Sequence, residues 1–396
     1  MNELIKQHAT FGHLKIWGNI LLALICLPLL FVSCTDSSIS PTESSLELKD
    51  LKKSDFPDPS AVLTSSKSSI AAAMQKHTGS ESNGVNLTGP LFDLATAPNG
   101  DILVADAGKG VVSLDGKTHI PLMGVSTVAP IGRNSMWALE GLTGPPGADT
   151  GQGIYRVSNG TKTMIADLFA FEETNDPDGA GVDSNPYSVA SLGGKAALVA
   201  DAGGNDLLRV DNQGKIELVA LFPNELVSTA NFQELTGCPT LDCLPPAIPA
   251  QAVPTSVVVG ADGYYYVSEL KGFPAPTNAS NIWRISPDAS GAMCGSSPDC
   301  MKLFDGGFTS IIDMAFGDNG MLYVAEIDEL SWFAVEVVGG GVGGTINRCD
   351  PETLTCVEVA TGIPILTAIA FGKDGSLWAT KNALIPGLAE VIEVPY

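Results

Sequence analysis

The chain reads as an all-β protein, a six-bladed β-propeller with four-stranded blades whose last blade is closed by an N-terminal strand. Three observations predict this. First, a short phrase recurs six times: a small-residue strand, a Gly-containing turn, then an apolar strand ending in a charged residue. The copies end at Asp106, Glu140, Asp201, Glu269, Glu326 and Lys381, and the clearest read DLATAPNGDILVAD, VVVGADGYYYVSE, MAFGDNGMLYVAE and IAFGKDGSLWATK. Second, each unit is all β and roughly 40 to 65 residues long, which favours blades around an axis over a helical solenoid. Third, equivalent positions of the first strand form columns. Leu94, Val128, Val189, Val257, Met314 and Ile369 are bulky and apolar, whereas Ala95, Ala129, Ala190, Val258, Ala315 and Ala370 are small. Asp93, Thr127, Ser188, Ser256, Asp313 and Ala368 are small and mostly polar. Side chains alternate across a strand, so these columns predict packing between blades, converging inner strands and a crowded, wet axis.

The elements follow in order. Residues 1–34 read as an export signal: Lys6 and Lys15 precede an apolar run, Ile16–Val32, that closes on Ser33–Cys34. The sequence LFVSC resembles a bacterial lipoprotein signal, which implies lipidation of Cys34. Phe31 departs from the usual Leu, and an uncleaved anchor is the alternative, since the run is almost long enough to span a bilayer. Residues 35–60, rich in Ser, Pro and charge, read as a flexible tether. Residues 61–396 hold the propeller, with repeats from about residue 89. The first blade takes strands near Leu91–Ala97, Ile102–Asp106, Gly110–Leu114 and His119–Met123. Later third strands fall at Gly153–Val157, Asp206–Val210, Asn281–Ile285, Thr345–Arg348 and Ala389–Val394. Later outer strands fall at Thr163–Leu168, Ile216–Phe222, Met301–Phe304 and Thr355–Ala360. The sixth blade runs out at Tyr396, so a segment within Asn83–Thr88 is expected to complete it and remove the open edge.

Beyond Cys26 and Cys34, the cysteines fall as close pairs, Cys238–Cys243, Cys294–Cys300 and Cys349–Cys356. No pair has CxxC spacing, and only His77 and His119 remain after the signal. Loop-stapling disulfides in an oxidising compartment therefore fit better than zinc. With 21 Lys and Arg against 44 Asp and Glu, the net charge is −23, and the balance stays acidic without residues 1–34. That argues against nucleic acid and anionic membrane surfaces, and suits a cation or a neutral ligand. Simple solubility of an exported protein explains most of it. Membrane contact is expected through the N-terminal lipid only. The expectation is a monomeric lipoprotein, periplasmic or at the cell surface.

In a propeller the first strand leaves one face and the second returns to it. The long connections Leu142–Gly151, Phe169–Asn185, Pro223–Ala252, Lys271–Ser280 and Ile327–Gly344 nearly all fall on that face, here the insertion face. Binding residues usually sit on loops carried by a rigid scaffold. The same face collects Asp93, Asp201, Glu269, Asp313 and Glu326, and the loop FEETNDPDGAGVDSN adds Glu172, Glu173, Asp176, Asp178 and Asp183. Hard oxygen ligands around an axis suit Ca²⁺ or Mg²⁺, although the loop lacks EF-hand spacing. The competing reading is local: an acid ending a strand hydrogen-bonds the backbone of its own turn. There is no GxSxG nucleophile elbow, and His119 lies in an outer hairpin, which undermines a Ser–His–Asp scheme. Gly339, Gly341 and Gly344 match GxGxxG, but no helix or βαβ unit surrounds them, so they read as a mobile loop. Trp332, Phe333, Phe273 and Tyr187 either line a ligand surface or pack beneath the loops.

Several stretches resemble the ScyD/ScyE family, named for proteins associated with biosynthesis of the pigment scytonemin. They are Ala166–Ala190, Val199–Val210, Val253–Pro276 and Gly307–Ile327, with VDSNPY and ADAGGN the most specific. Together they cover most of residues 89–396. The resemblance implies an NHL-like propeller and directs attention to Asn185, Asp201, Asn205, Glu269 and Asp313. It carries no established reaction. The lipoprotein-like start, the Cys-bearing insertion before Val253 and the Gly-rich loop after Val337 depart from the family. The expected function is binding of a small molecule or carbohydrate on the insertion face, with Ca²⁺ as the candidate cofactor. Asp93, Asp183, Asn185, Asp201, Asn205, Glu269, Asp313 and Glu326 are the candidate ligands. The rivals are a hydrolase resembling the calcium-dependent six-bladed lactonases, and a protein-interaction scaffold.

Overall fold

The computed structural model describes residues 85–132, 134–141, 151–237 and 244–396. The export signal with Cys34, the tether and the Cys238–Cys243 pair lie outside them. The fold is a six-bladed β-propeller built on four-stranded antiparallel blades. Blade 1 is β1 (Leu91–Thr96), β2 (Ile102–Asp106), β3 (Gly110–Ser113) and β4 (His119–Ile120). Blade 2 is β5 (Val125–Gly132), β6 (Ser135–Glu140), β7 (Gly153–Ser158) and β8 (Thr161–Asp167). Helix α1 (Leu168–Asn175) leads to blade 3: β9 (Pro186–Ser191), β10 (Ala196–Asp201), β11 (Asp206–Asp211) and β12 (Ile216–Leu221). An insertion follows, with β13 (Glu225–Ser228) paired to β14 (Ala247–Ala250) around helix α2 (Ala230–Thr236). Blade 4 is β15 (Pro254–Val259), β16 (Tyr265–Glu269), β17 (Ser280–Ile285) and β19 (Cys300–Phe308); the short β18 (Ala292–Met293) runs parallel to β12 on the edge of blade 3. Blade 5 is β20 (Ile311–Phe316), β21 (Leu322–Glu326), β22 (Gly344–Asp350) and β23 (Thr355–Ile363), with a π-helical turn, Ala334–Val338, in its insertion. The first strands contact one another in sequence, and β24 (Ile369–Phe371) of blade 6 returns to β1, closing the ring.

Blade 6 departs from expectation. Among the described residues it holds β24, β25 (Leu377–Lys381) and β26 (Glu390–Val394), and Val85–Thr88 adds no strand. The upstream segment docks there all the same. Leu87 is buried among Ala383, Ala389 and Val391, and Gly387 N–H donates to Thr88 O at 3.2 Å. Gly89, at φ 67°, and Pro90 then turn the chain into β1. Proline has no N–H to offer a ladder, so the segment bends across the edge instead of pairing along it.

Polar residues near the axis act as junction fasteners. Asp93, Ser188, Ser256 and Asp313 each accept the backbone N–H of the bulky residue in the next blade: Val128 (2.9 Å), Val257 (3.2 Å), Met314 (3.1 Å) and Ile369 (2.8 Å). The remaining junctions are tied one position earlier. Ser126 donates to Pro186 O (3.2 Å), and Thr367 donates to Leu91 O (2.7 Å). Thr255 adds a bond to Ile311 O at 2.7 Å. Every blade junction thus carries a side-chain bond. The strand pairs of blades 1 to 5 each begin with a bulge, at Phe92, Ser126, Tyr187, Thr255 and Ile312. A bulge re-aims one side chain, so Ser126 and Thr255 reach the neighbouring blade. Disulfides Cys294–Cys300 and Cys349–Cys356 tie connections between third and fourth strands as expected, and such bonds belong to an oxidising compartment. No helix among the described residues is long and apolar enough to cross a membrane.

Candidate functional site

The inner strands enclose an axial cavity of about 570 Å³. Asp93, Thr127, Ser188, Ser256 and Asp313 line its inner end; Phe316, Phe371 and Lys373 stand where first strands turn into second strands. The cavity therefore opens opposite the insertion face. On the insertion side the axis is roofed. Phe92, Tyr187 and Ile312, the bulge residues of blades 1, 3 and 5, are buried in one apolar cluster with Trp332 and Phe333. Phe232 of α2 meets Phe273 edge-on at 4.9 Å and Phe333 at 5.1 Å. The aromatic residues of the insertion face thus pack beneath its loops. Burial pushes Asp93 up to about 6, and burial together with the Asp93 charge pushes Asp313 up to about 8. The Tyr187 hydroxyl and Glu336 Oε1 are buried without a hydrogen-bond partner, and burial raises both groups, Glu336 to about 8.

The acids ending second strands mostly serve their own surroundings. Asp106 accepts from Thr88 N (2.7 Å) and Gly108 N (3.0 Å). Asp201 accepts from Ser184 Oγ (2.7 Å), Asn185 N (2.6 Å), Gly203 N (3.1 Å) and Gly204 N (3.1 Å). Glu326 accepts from Thr309 N and from Asn347 Nδ2 (2.7 Å), and burial pushes it up to about 7. Glu140 pairs with Lys162 at 2.5 Å. Glu269 accepts from Trp283 Nε1 (2.6 Å) and Asn281 Nδ2 (2.7 Å), and pairs with the fully buried Lys271 at 2.7 Å. Lys271 also reaches Glu225 at 2.7 Å, tying the β13–β14 insertion to blade 4. The Gly-rich run is pinned: Gly343 N–H donates to Asp328 Oδ2 at 2.7 Å. A Cβ on Gly341 would lie 2.1 Å from the same oxygen, so any larger residue there would push the Asp328 carboxylate off Gly343. His119 is exposed in β4, its Nε2 3.2 Å from Lys109 O, remote from the cavity lining.

One group of acids stands apart. Carboxylate oxygens of Glu172 in α1, Asp176 at its C-cap and Asp178 lie within 4.8 Å of one another, an arrangement able to hold a metal ion. Asn205, with φ 51°, places Nδ2 2.9 Å from Asp178 Oδ2 and accepts Val253 N–H at 3.0 Å, holding this loop against blade 4. Asp183 is pushed up to about 6 by burial, then by Asp201 and Asp178. The expected candidates therefore divide. Asp93 and Asp313 face the cavity, Asp183, Asn185, Asp201 and Asn205 surround the blade 3 cluster, and Glu269 and Glu326 sit in separate blades. Asp206 escaped the sequence reading because it opens an ordinary strand. Its signal was the ladder itself, in which Asp206 faces Asp201, acid against acid.

No protein-family model and no curated protein matches the chain. Among solved structures it is similar to virginiamycin B lyase from Staphylococcus aureus, at 18% identity over 79% of this chain and 87% of that one, TM-score 0.44. It is also similar to a protein of unknown function from Bacteroides thetaiotaomicron, at 13% identity over 78% and 70%, TM-score 0.48. YCF48 from Cyanidioschyzon merolae follows at 14% identity over 78% and 86%, TM-score 0.39. Likeness at this level concerns the fold, which the chain's own strand order already establishes.

Proposed function

We propose that this chain is an exported, lipid-anchored propeller of ScyD/ScyE type that binds a small polyhydroxylated molecule, of carbohydrate class, in its axial cavity. Ca²⁺ serves as the cofactor on the opposite, insertion face. The cavity carries the reading: carboxylates and hydroxyls converge at its inner end, and Phe316 and Phe371 offer apolar surface near its mouth. Carboxylates and hydroxyls are the acceptors and donors that a sugar requires, and an aromatic face suits its C–H surface. Calorimetric titration of the full chain with a panel of mono- and disaccharides tests this. Binding is expected, and Asp313→Asn, which replaces the carboxyl that meets the sugar, weakens it about 10-fold, the loss of one hydrogen bond. No binding by any sugar, or an unchanged affinity in the variant, removes the axial site and leaves the scaffold reading.

Asp93 and Asp313 also support a second reading, a lactonase-like hydrolase with its metal on the axis. In that case Ca²⁺ stabilises the protein and Asp313→Ala abolishes the effect.

A further inference from the structure

The cofactor part of the reading above can be taken further, to a defined ligand set and a task for the ion. Three observations meet at the start of β11. The first is the ladder. Opposite the last residue of the second strand, other blades place Gly110, Gly153 and Thr345, and blade 6 sets Glu390 against Lys381; blade 3 sets Asp206 against Asp201. Like charges directly opposite destabilise a sheet. The second is the absence of partners. Asp206 is 1% exposed with neither oxygen hydrogen-bonded, and Glu172 is 2% exposed with Oε1 unbonded. Buried polar groups are nearly always satisfied, and a buried charge is paired or coordinates a metal. The third is convergence. A methyl placed on Gly204 would lie 3.4 Å from Glu172 Oε2 and 3.6 Å from the carboxyl carbons of Asp201 and Asp206. The charged groups acting on Glu172 and Asp206 are all carboxylates.

We infer that Glu172, Asp176 and Asp178, whose oxygens already lie within 4.8 Å of one another, bind one Ca²⁺, which draws in the unpartnered Asp206 beside them as a fourth ligand and fastens α1 and residues 176–185 to blade 3. Asp201 is not a ligand in this arrangement, because its oxygens already take Ser184, Asn185, Gly203 and Gly204. It shapes the turn that brings Asp206 inward. Asn205 orients Asp178 from the side. Four carboxylates with no nitrogen or sulfur donor select a hard cation. They come from a helix, its C-cap, a loop and a strand, and such irregular placement suits the flexible coordination of Ca²⁺ better than the strict octahedron of Mg²⁺. The C-terminus of α1, carrying partial negative charge, points the same way.

The test uses the full chain stripped with EDTA and titrated with Ca²⁺ and Mg²⁺ by calorimetry at fixed pH. One Ca²⁺ per chain is expected, with Kd on the order of 10⁻⁴ M or tighter, as for extracellular calcium modules. Asp206→Asn and Glu172→Gln each weaken it about 10-fold or more, and Asp313→Asn leaves it unchanged. Limited proteolysis adds an independent readout: Ca²⁺ suppresses cleavage within residues 176–185 in the parent chain but not in Asp206→Asn. Circular dichroism confirms that each variant is folded. If Ca²⁺ binds but only Asp313→Asn loses it, the ion lies on the axis; the ligand set is then wrong while calcium use survives. Absence of any divalent binding overturns both. Mg²⁺ binding without Ca²⁺ overturns the choice of ion.

Discussion

Blades 3 and 4 present the same sequence feature, an acid at the end of the second strand, and resolve it in opposite ways. In blade 4, Glu269 is buried beside Lys271 at 2.7 Å, and Lys271 and Lys302 both hold Glu225, at 2.7 and 2.6 Å. Burial works against ionisation of Glu225, but these ammonium groups hold it down at about 2. In blade 3, Asp201 faces Asp206, Glu172 and Asp178 join them, and the charges raising Asp206 are all carboxylates. Blade 4 carries its own cations; among the described residues, the charges acting on the blade 3 acids are those of other acids. A buried carboxylate therefore says little about function until the charges around it are known.

The contrast can be broken at several points. The largest effect is expected from Lys271→Met, which strands Glu269 in a fully buried site; urea unfolding should show a loss of about 3–5 kcal/mol. An unchanged midpoint would mean that the blade 4 pair contributes nothing to the comparison. Blade 5 sharpens it differently. Burial raises Glu326 to about 7 from an ordinary 4.5, and no cation among the described residues compensates. Its folded value exceeds its unfolded one, so its contribution is complete below about pH 4.5 and fades as pH rises through 7. Glu326→Gln should flatten the fall in melting temperature between pH 5 and 8, a difference on the order of 2 kcal/mol. A parallel pH profile for the two proteins would refute this. In metal-free protein, Asp206→Asn is expected to stabilise by about 1 kcal/mol, because it removes a buried, repelled charge. A lower melting temperature without metal would show that Asp206 is already satisfied by some other route. An effect of the same small size is expected at a junction that neither cluster touches. Thr367→Val removes the bond to Leu91 O that helps close blade 6 on blade 1, at a cost of about 1 kcal/mol.

Much of the fold was legible beforehand. The third strands expected near 153–157, 206–210, 281–285 and 345–348 lie within a residue or two of β7, β11, β17 and β22. Local alternation and turn residues set such elements. The closing strand was not legible, because Gly89 and Pro90 divert the segment across the edge. The polar column was legible as a wet axis, but its fastening of one blade to the next depends on bulges that bring Ser126 and Thr255 into reach. For the site, the acidic loop was visible, yet its neighbour Asp206 was not. Glu172 and Asp206 lie far apart in sequence, and the intervening strand pair brings them together.

Six repeated phrases, with apolar columns of matching size, determined the ring from sequence alone. Each unit buries its faces only against copies of itself, and that requirement is written in local periodicity. Which acids are paired with a cation, which cap a turn and which stand among other acids was decided by the tertiary structure. Electrostatic character depends on distance and burial across blades, and neither quantity is encoded in any single repeat.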